Sequence, residues 1–280
     1  IGLVAAIILI GKTLFSIYFS RRVLFFLSRR GAAVSARMVA KLLRQSLLTV
    51  QNRSLQTSLY SVTQGVTLMT VGVLGVFVSL VSDLSLLLVL LIGLFVVDSV
   101  MAFGTLIAFS IIAFTLWRLM HVRMRNLGLK TANISVESSE TVFEVLTAYR
   151  EATVRNRKGF YAQLIGQQRL LLANLQAEMQ FMPNISKYVI EIAVVVSAVA
   201  VAGFQFMINE PGRAVAILSI YLAATTRIAP AVLRLQQGAV SMKGTLAAAQ
   251  PTLELLRELG WEQDEIEKWD EPDFKYEDFV

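Results

Sequence analysis

The stretch "GVFVSLVSDLSLLLVLLIGLFVVDSVMAFG", Gly75 to Gly104, carries two aspartates and no other charge. It is the centre of a longer run, Leu59 to Trp117, in which Asp83 and Asp98 are still the only charged side chains. A hydrocarbon core about 30 Å thick takes roughly 20 apolar residues as helix, so the run is long enough to cross a bilayer out and back. It shows no strand-period alternation, and backbone groups in lipid must be satisfied internally, which makes helices the economical solution. The whole chain is 55% hydrophobic, with a mean hydropathy of +0.62. The expected fold class is all-α: a polytopic membrane helical bundle whose helices extend well beyond the bilayer on one side.

Basic residues flank the central run. On one side lies "RRVLFFLSRRGAAVSARMVAKLLRQ", with Arg21, Arg22, Arg29, Arg30, Arg37, Lys41 and Arg44; on the other, Arg118 through Lys130 to Arg150, Arg155, Arg157 and Lys158. The excess of Lys and Arg places both regions on the cytoplasmic side. The outer turn then falls near Asp98, which leaves Asp83 inside or near a long helix. Spans are expected at about 1–20, 64–97, 99–118, 187–208 and 213–234, the last pair joined by "NEPG", a turn composition. Val34 to Gln56 and Thr131 to Met182 carry amphipathic helical periodicity, which predicts two helical projections on the same side.

The chain opens in mid-helix with "IGLVAAIILIGKTLF" and stops at "FKYEDFV". It reads as a piece of a longer protein, and five spans predict a sixth before Ile1. Residues 1–261 form the expected membrane domain. From Glu262 onward there are nine acidic residues against two basic ones, leaving 11 acidic and 24 basic upstream within a net charge of +6. Residues 262–280 read as a solvated acidic linker.

Several chemistries are excluded. The absence of cysteine rules out disulfides and thiolate metal sites, and the single histidine, His121, makes no metal site alone. No nucleophile–base set appears, so the chain by itself is not an enzyme. "GKT" at Gly11 to Thr13 ends like a phosphate-binding loop, but Ala6 stands where its first glycine belongs, and an apolar helix replaces the required strand. The sequons at Asn52, Asn133 and Asn184 fall on or near the cytoplasmic side and are discounted.

Charges inside spans cost at least ~2.5 to 3.5 kcal/mol each at mid-depth, so they face a polar cavity or a partner. The substrate-cavity candidates are Lys12, Asp83, Lys187, Glu191, Arg227 and Arg234. Lys187 and Glu191 stand at i and i+4, the spacing of an ion pair on one helix. Arg227 and Arg234 are seven residues apart and leave one helical face, with Pro230 between them able to kink the helix. Paired guanidinium groups suit phosphate or pyrophosphate. The competing reading is an inter-helix salt bridge with Asp83 or Glu191.

In order and spacing these features resemble the transmembrane domain of an ABC exporter, over nearly the whole chain. "LLTVQNRSLQTSLYSV", with Gln51, Asn52 and Arg53, looks like the first coupling region of that family. "ESSETVFEVLTAYREATVRNRKGFYAQL", with Glu144, Tyr149, Arg150 and Glu151, is similar to the second. Within the family the likeness is closest to lipid-linked oligosaccharide flippases. "RIAPAVLRL" resembles their sixth-helix basic pattern at Arg227 and Arg234, "KYVIE" their fifth-helix pattern at Lys187, and "GKTLF" a basic position at Lys12. Two departures are visible: lysine at Lys12 and Lys187 lacks the guanidinium fork, and Pro183 is displaced from the proline expected before the fifth-helix basic residue.

The resemblance implies a multi-pass inner (plasma) membrane domain that moves an amphipathic, anionic, lipid-linked substrate by alternating access. ATP and Mg would bind in a nucleotide-binding domain outside this chain. The implied partners are that ATP-binding domain, a second transporter subunit, identical or not, and the membrane lipid or lipid-linked substrate, with no nucleic acid. A peptide, drug or lipid exporter with structural arginines, and a non-transporting membrane anchor or sensor, are the alternatives.

Overall fold

The computed structural model describes residues 2–46, 53–97, 99–208 and 211–260. The predicted acidic linker, 262–280, and the predicted turn residues Asp98, Asn209 and Glu210 lie outside the described residues. Those described are almost wholly helical and include no strand. Helix α1 spans Gly2–Leu43, α2 Leu55–Tyr60, α3 Gly75–Val97 and α4 Ser99–Thr147. The short α5 spans Tyr149–Val154, α6 Lys158–Ile208, α7 Pro211–Ala248 and α8 Gln250–Glu258.

Three of these helical runs are long and apolar enough to cross a membrane: Leu55–Gly93, Lys158–Met207 and Pro211–Ala248. The sequence predicts five spans. The other two fall on α1 and α4, whose most apolar ends include side chains outside the described residues. At 1.5 Å per residue, the 49-residue α4 and 51-residue α6 are each about 75 Å long, more than twice a bilayer core.

The helices change direction at two ends. At one, α3 stops at Val97 and α4 starts at Ser99, while α6 stops at Ile208 and α7 starts at Pro211. Proline in the first turn gives up an N–H that has no helical partner anyway. At the other end α5 lies between the two longest helices. The amphipathic period over Thr131 to Met182 predicts one projection there, and the structure breaks it: Asn156 adopts φ 53°, the left-handed region that asparagine tolerates better than most residues. The Arg157 N–H then closes on the Ala152 carbonyl at 3.0 Å, which ends α5 and redirects the chain into α6. The first predicted projection, Val34 to Gln56, is also divided, since α1 ends at Leu43 and α2 begins after Ser54, whose hydroxyl accepts from the Thr57 N–H.

Helix α7 is the hub, packing against α3, α4 and α6. Lipid is as apolar as leucine, so helices in it associate through close packing rather than apolar burial alone. Gly128 on α4 faces the Gly244 carbonyl of α7 so closely that a Cβ there would overlap it. Met120, Met124 and Met182 fill the irregular space beside this contact with Leu116, Leu127 and Val240. A second cluster, Phe109, Ile190, Ile228 and Val232, lies nearer the turn end. The third joins Met38 of α1 to Val62, Val66, Leu255 and Leu259. By contrast Val89, Ile92, Phe95 and Val96 of α3 are exposed. That is where an apolar solvent would lie.

Between α2 and α3 the helix widens into two π-helical stretches, Ser61–Gly65 and Leu68–Leu74. The local sequence explains why. Thr63, Thr67 and Thr70 donate their hydroxyls to the carbonyls four residues back, at 2.7, 3.2 and 2.9 Å, which competes with the α ladder. Neighbouring helices take up carbonyls of the widened turn: Ser35 of α1 donates to Val62 O at 2.7 Å, and Thr252 of α8 to Ser61 O at 3.1 Å. Tyr60 completes the joint by donating to Ala248 O at 2.9 Å.

Candidate functional site

Among the described side chains, the charged residues that the sequence singles out, Asp83, Lys187, Glu191 and Arg234, do not converge on one cavity. Arg234 of α7 donates through Nε to Asp83 Oδ1 of α3 at 2.8 Å, with the two side chains 49% and 20% exposed. One of the two proposed phosphate ligands is thus held by the protein's own carboxylate. Lys187 Nζ lies 3.9 Å from Glu191 Oε1 on α6, and both line a groove of 430 Å³ against Thr225, Thr226 and Pro230 of α7. Thr225 is buried there, and its hydroxyl finds no partner among the described residues. Arg227 lies on α7 and Lys12 on α1, but their side chains fall outside the described residues. The helix of α1 runs straight through Gly11 to Thr13, so no phosphate-binding loop forms.

A polar cavity of 740 Å³ opens elsewhere, between the π-helical stretches, α4, α6 and α7. Its polar lining is Gln64, Gln176, Gln180, Asn184, Gln237 and Ser241, with Thr131 and Thr245 nearby; none is charged. Amides and hydroxyls both donate and accept, so the cavity can satisfy a neutral, hydrogen-bonding group. Sequence reasoning built on charge passes over it. A signal was nevertheless present: Gln176, Gln180 and Asn184 stand at i, i+4 and i+8, as do Gln237, Ser241 and Thr245, which places each trio on one helical face. Pro183 lines the same cavity. A second cavity, of 580 Å³, lies between α3, α4 and α7 and is apolar, walled by Leu84, Leu88, Phe109, Ile228 and Val232. It meets Gln236, whose buried Nε2 has no partner among the described residues.

No protein-family model matches this chain, and no curated protein does.

The far end of the long helices gathers the residues likened above to coupling regions. Gln51 and Asn52 lie outside the described residues. Arg53 pairs with Glu258 of α8, and the Ser54 hydroxyl donates to Glu140 Oε1 of α4 at 3.4 Å, tying the start of α2 to two other helices. Glu144, Arg150 and Glu151 are exposed. Tyr149 receives a hydrogen bond from Lys158 Nζ at 3.3 Å, the ammonium lying 4.9 Å from its ring centroid. That hydrogen bond, and then the positive charge, hold the Tyr149 hydroxyl below its ordinary value of 10.0. Leu146, Val154 and Phe160 are also exposed here, by 67%, 81% and 59%. Leu146 lies 29 residues past Trp117, about 40 Å along α4 from the end of its apolar stretch. Among the described residues no group of three or more His, Cys, Asp or Glu side chains could hold a metal ion.

Proposed function

We propose that this chain is the transmembrane domain of an ATP-driven exporter or flippase of the ABC type. One observation carries the reading: long helices project far beyond their apolar stretches and end in a short helix, α5, flanked by exposed Leu146, Val154 and Phe160. Apolar side chains some 40 Å from the apolar stretch have no lipid to cover them, and an exposed apolar cluster marks a protein contact. Arg150, Arg155, Arg157 and Lys158 surround it. In this reading the surface receives an ATP-binding domain, whose ATP-driven movement is passed along α4 and α6 into the bundle.

The substrate is amphipathic. Its polar head enters the amide-lined cavity and its hydrocarbon part lies along the apolar cavity between α3, α4 and α7. An anionic lipid-linked head of the pyrophosphate-oligosaccharide class would bind instead at the groove between α6 and α7 that Lys187 lines, with Arg227 carried on the same α7. A specific observation favours a second reading: the Arg234–Asp83 contact is what a structural arginine makes, as in an exporter of peptides, drugs or lipids without a phosphate requirement.

The test is ATPase activity of the full-length protein in lipid, with and without a polyprenyl-pyrophosphate lipid. Stimulation that is lost in Arg227→Ala supports phosphate recognition. Stimulation that survives in Arg227→Ala and Lys187→Ala rejects it. Absence of any ATPase activity in the full-length protein would reject the transporter reading itself.

A further inference from the structure

Helix α1 carries Arg21, Arg22, Arg29 and Arg30 on an exposed stretch. Elsewhere four basic residues of the bundle pair with carboxylates: Arg53 with Glu258, Arg123 with Glu178, Lys187 with Glu191 and Arg234 with Asp83. None of the four α1 arginines has an ion-pair partner among the described residues. What they have is aromatic surface. The Arg21 guanidinium lies 5.5 Å from the Phe25 ring centroid and that of Arg30 5.5 Å from the Phe26 centroid. Together the four arginines and two phenylalanines, with Tyr18 one turn earlier, line a groove of 720 Å³.

The surroundings place this groove at the end of an apolar stretch of α1. On its N-terminal side α1 exposes the apolar and aromatic side chains of Leu14, Phe15, Ile17, Tyr18 and Phe19. On its C-terminal side α1 turns to Arg37 and Lys41. Between the two arginine pairs, Leu24, Phe25 and Phe26 are exposed again. Aromatic rings alternating with long cationic side chains suit the headgroup layer, where each side chain has one apolar and one wet neighbour. Like charges clustered there repel unless an anion joins them. Guanidinium is the side chain that grips phosphate oxygens in pairs.

Spacing and neighbours narrow the ligand. Arg22 and Arg29 are seven residues apart, so they share a face at an axial distance of about 10 Å. That spacing lets long arginine side chains converge on one pyrophosphate or take separate phosphates, and the exposed Phe15, Tyr18 and Phe19 beside them favour phosphates that carry acyl chains. Two phosphodiesters, from one diphosphatidyl lipid or two neighbouring lipids, fit this arrangement, with acyl chains running back along Phe15 and Phe19.

We propose that the Arg21–Arg30 face of α1 binds anionic phospholipid headgroups. The site needs only that α1 crosses a bilayer, so it stands apart from the transport reading. The experiment takes full-length protein from mixed phosphatidylcholine and phosphatidylglycerol membranes into neutral detergent and counts the lipids it retains by native mass spectrometry. Wild-type protein should retain phosphatidylglycerol preferentially. Arg22→Gln/Arg29→Gln should lose that preference by about fivefold per arginine, the equivalent of ~1 kcal/mol for each basic group near a charged surface. The charge-matched variant Arg125→Gln/Arg169→Gln, at exposed sites elsewhere, should keep it. Should the double variant not fold, Arg22→Gln and Arg29→Gln singly serve the same comparison. Equal preference in wild type and α1 variants overturns the site. So does displacement of the lipid by inorganic phosphate or pyrophosphate, which would make the ligand a free anion. A photo-crosslinker at Phe25 that captures protein and no lipid would overturn it as well.

Discussion

Arg234 shows how a residue legible as a cost in the sequence acquires a partner only in space. A lone guanidinium among apolar side chains is expensive, and Asp83, 151 residues away, lies 2.8 Å from its Nε. Arg234→Leu should therefore lower the thermal unfolding midpoint in lipid nanodiscs, and Asp83→Leu added to it should recover much of the loss. The coupling from a double-mutant cycle should be about 1 to 3 kcal/mol; additive single effects would show that the contact contributes nothing. Tyr149 makes a second residue-scale case, outside the apolar segments. Its ionised form is favoured by the Lys158 hydrogen bond and charge, so its hydroxyl titrates below 10.0. The favoured state is tyrosinate, so the contact adds stability only at alkaline pH, and this is lost as pH falls through the lowered value. Lys158→Met should move the Tyr149 titration upward, as read by tyrosinate absorbance against a Tyr149→Phe background.

At the scale of an element, the π-helical joint between α2 and α3 depends on helices distant in sequence. Threonine back-bonding loosens the local ladder, and Ser35 and Thr252 hold two carbonyls of the widened turn. Ser35→Ala and Thr252→Val should each cost about 1 kcal/mol, with faster hydrogen exchange confined at first to residues 61–70. Uniform exchange across the bundle would point to global loosening instead. The α4–α7 contact is less forgiving. A Cβ at Gly128 meets backbone, which cannot rotate away as a side chain would. Gly128→Ala should cost about 1 to 3 kcal/mol, the usual range for overpacking, and Gly128→Leu should leave little monodisperse protein on size exclusion.

For the whole molecule, the proposed topology sets the two ends of the helices on opposite sides of the membrane. The chain contains no cysteine, so single cysteines report without background. Asn156→Cys, in the link after α5, should react with an impermeant maleimide only from the cytoplasmic face, and Gly212→Cys, at the start of α7, only from the other. Labelling of both from one side would break the predicted topology. The same architecture separates the candidate surfaces: charged and aromatic on α1, amide-lined within the bundle, and apolar with basic neighbours at α5.

Helical character, the long apolar stretches and the places where α3 gives way to α4 and α6 to α7 follow from the sequence, because period and composition are local properties. "FVVDSVM" and "NEPG" both mark places where one helix ends and the next begins. The partner of Arg234, the convergence of Gln64 with the Gln176 and Gln237 faces, and the caps on the π-helical turn could not be read that way. Each joins helices tens to hundreds of residues apart. The rotation of one helix against another is set by packing, here by a glycine pressed to a backbone and methionines filling what remains. Local sequence determined which side chains share a face; only tertiary packing decided what each face meets.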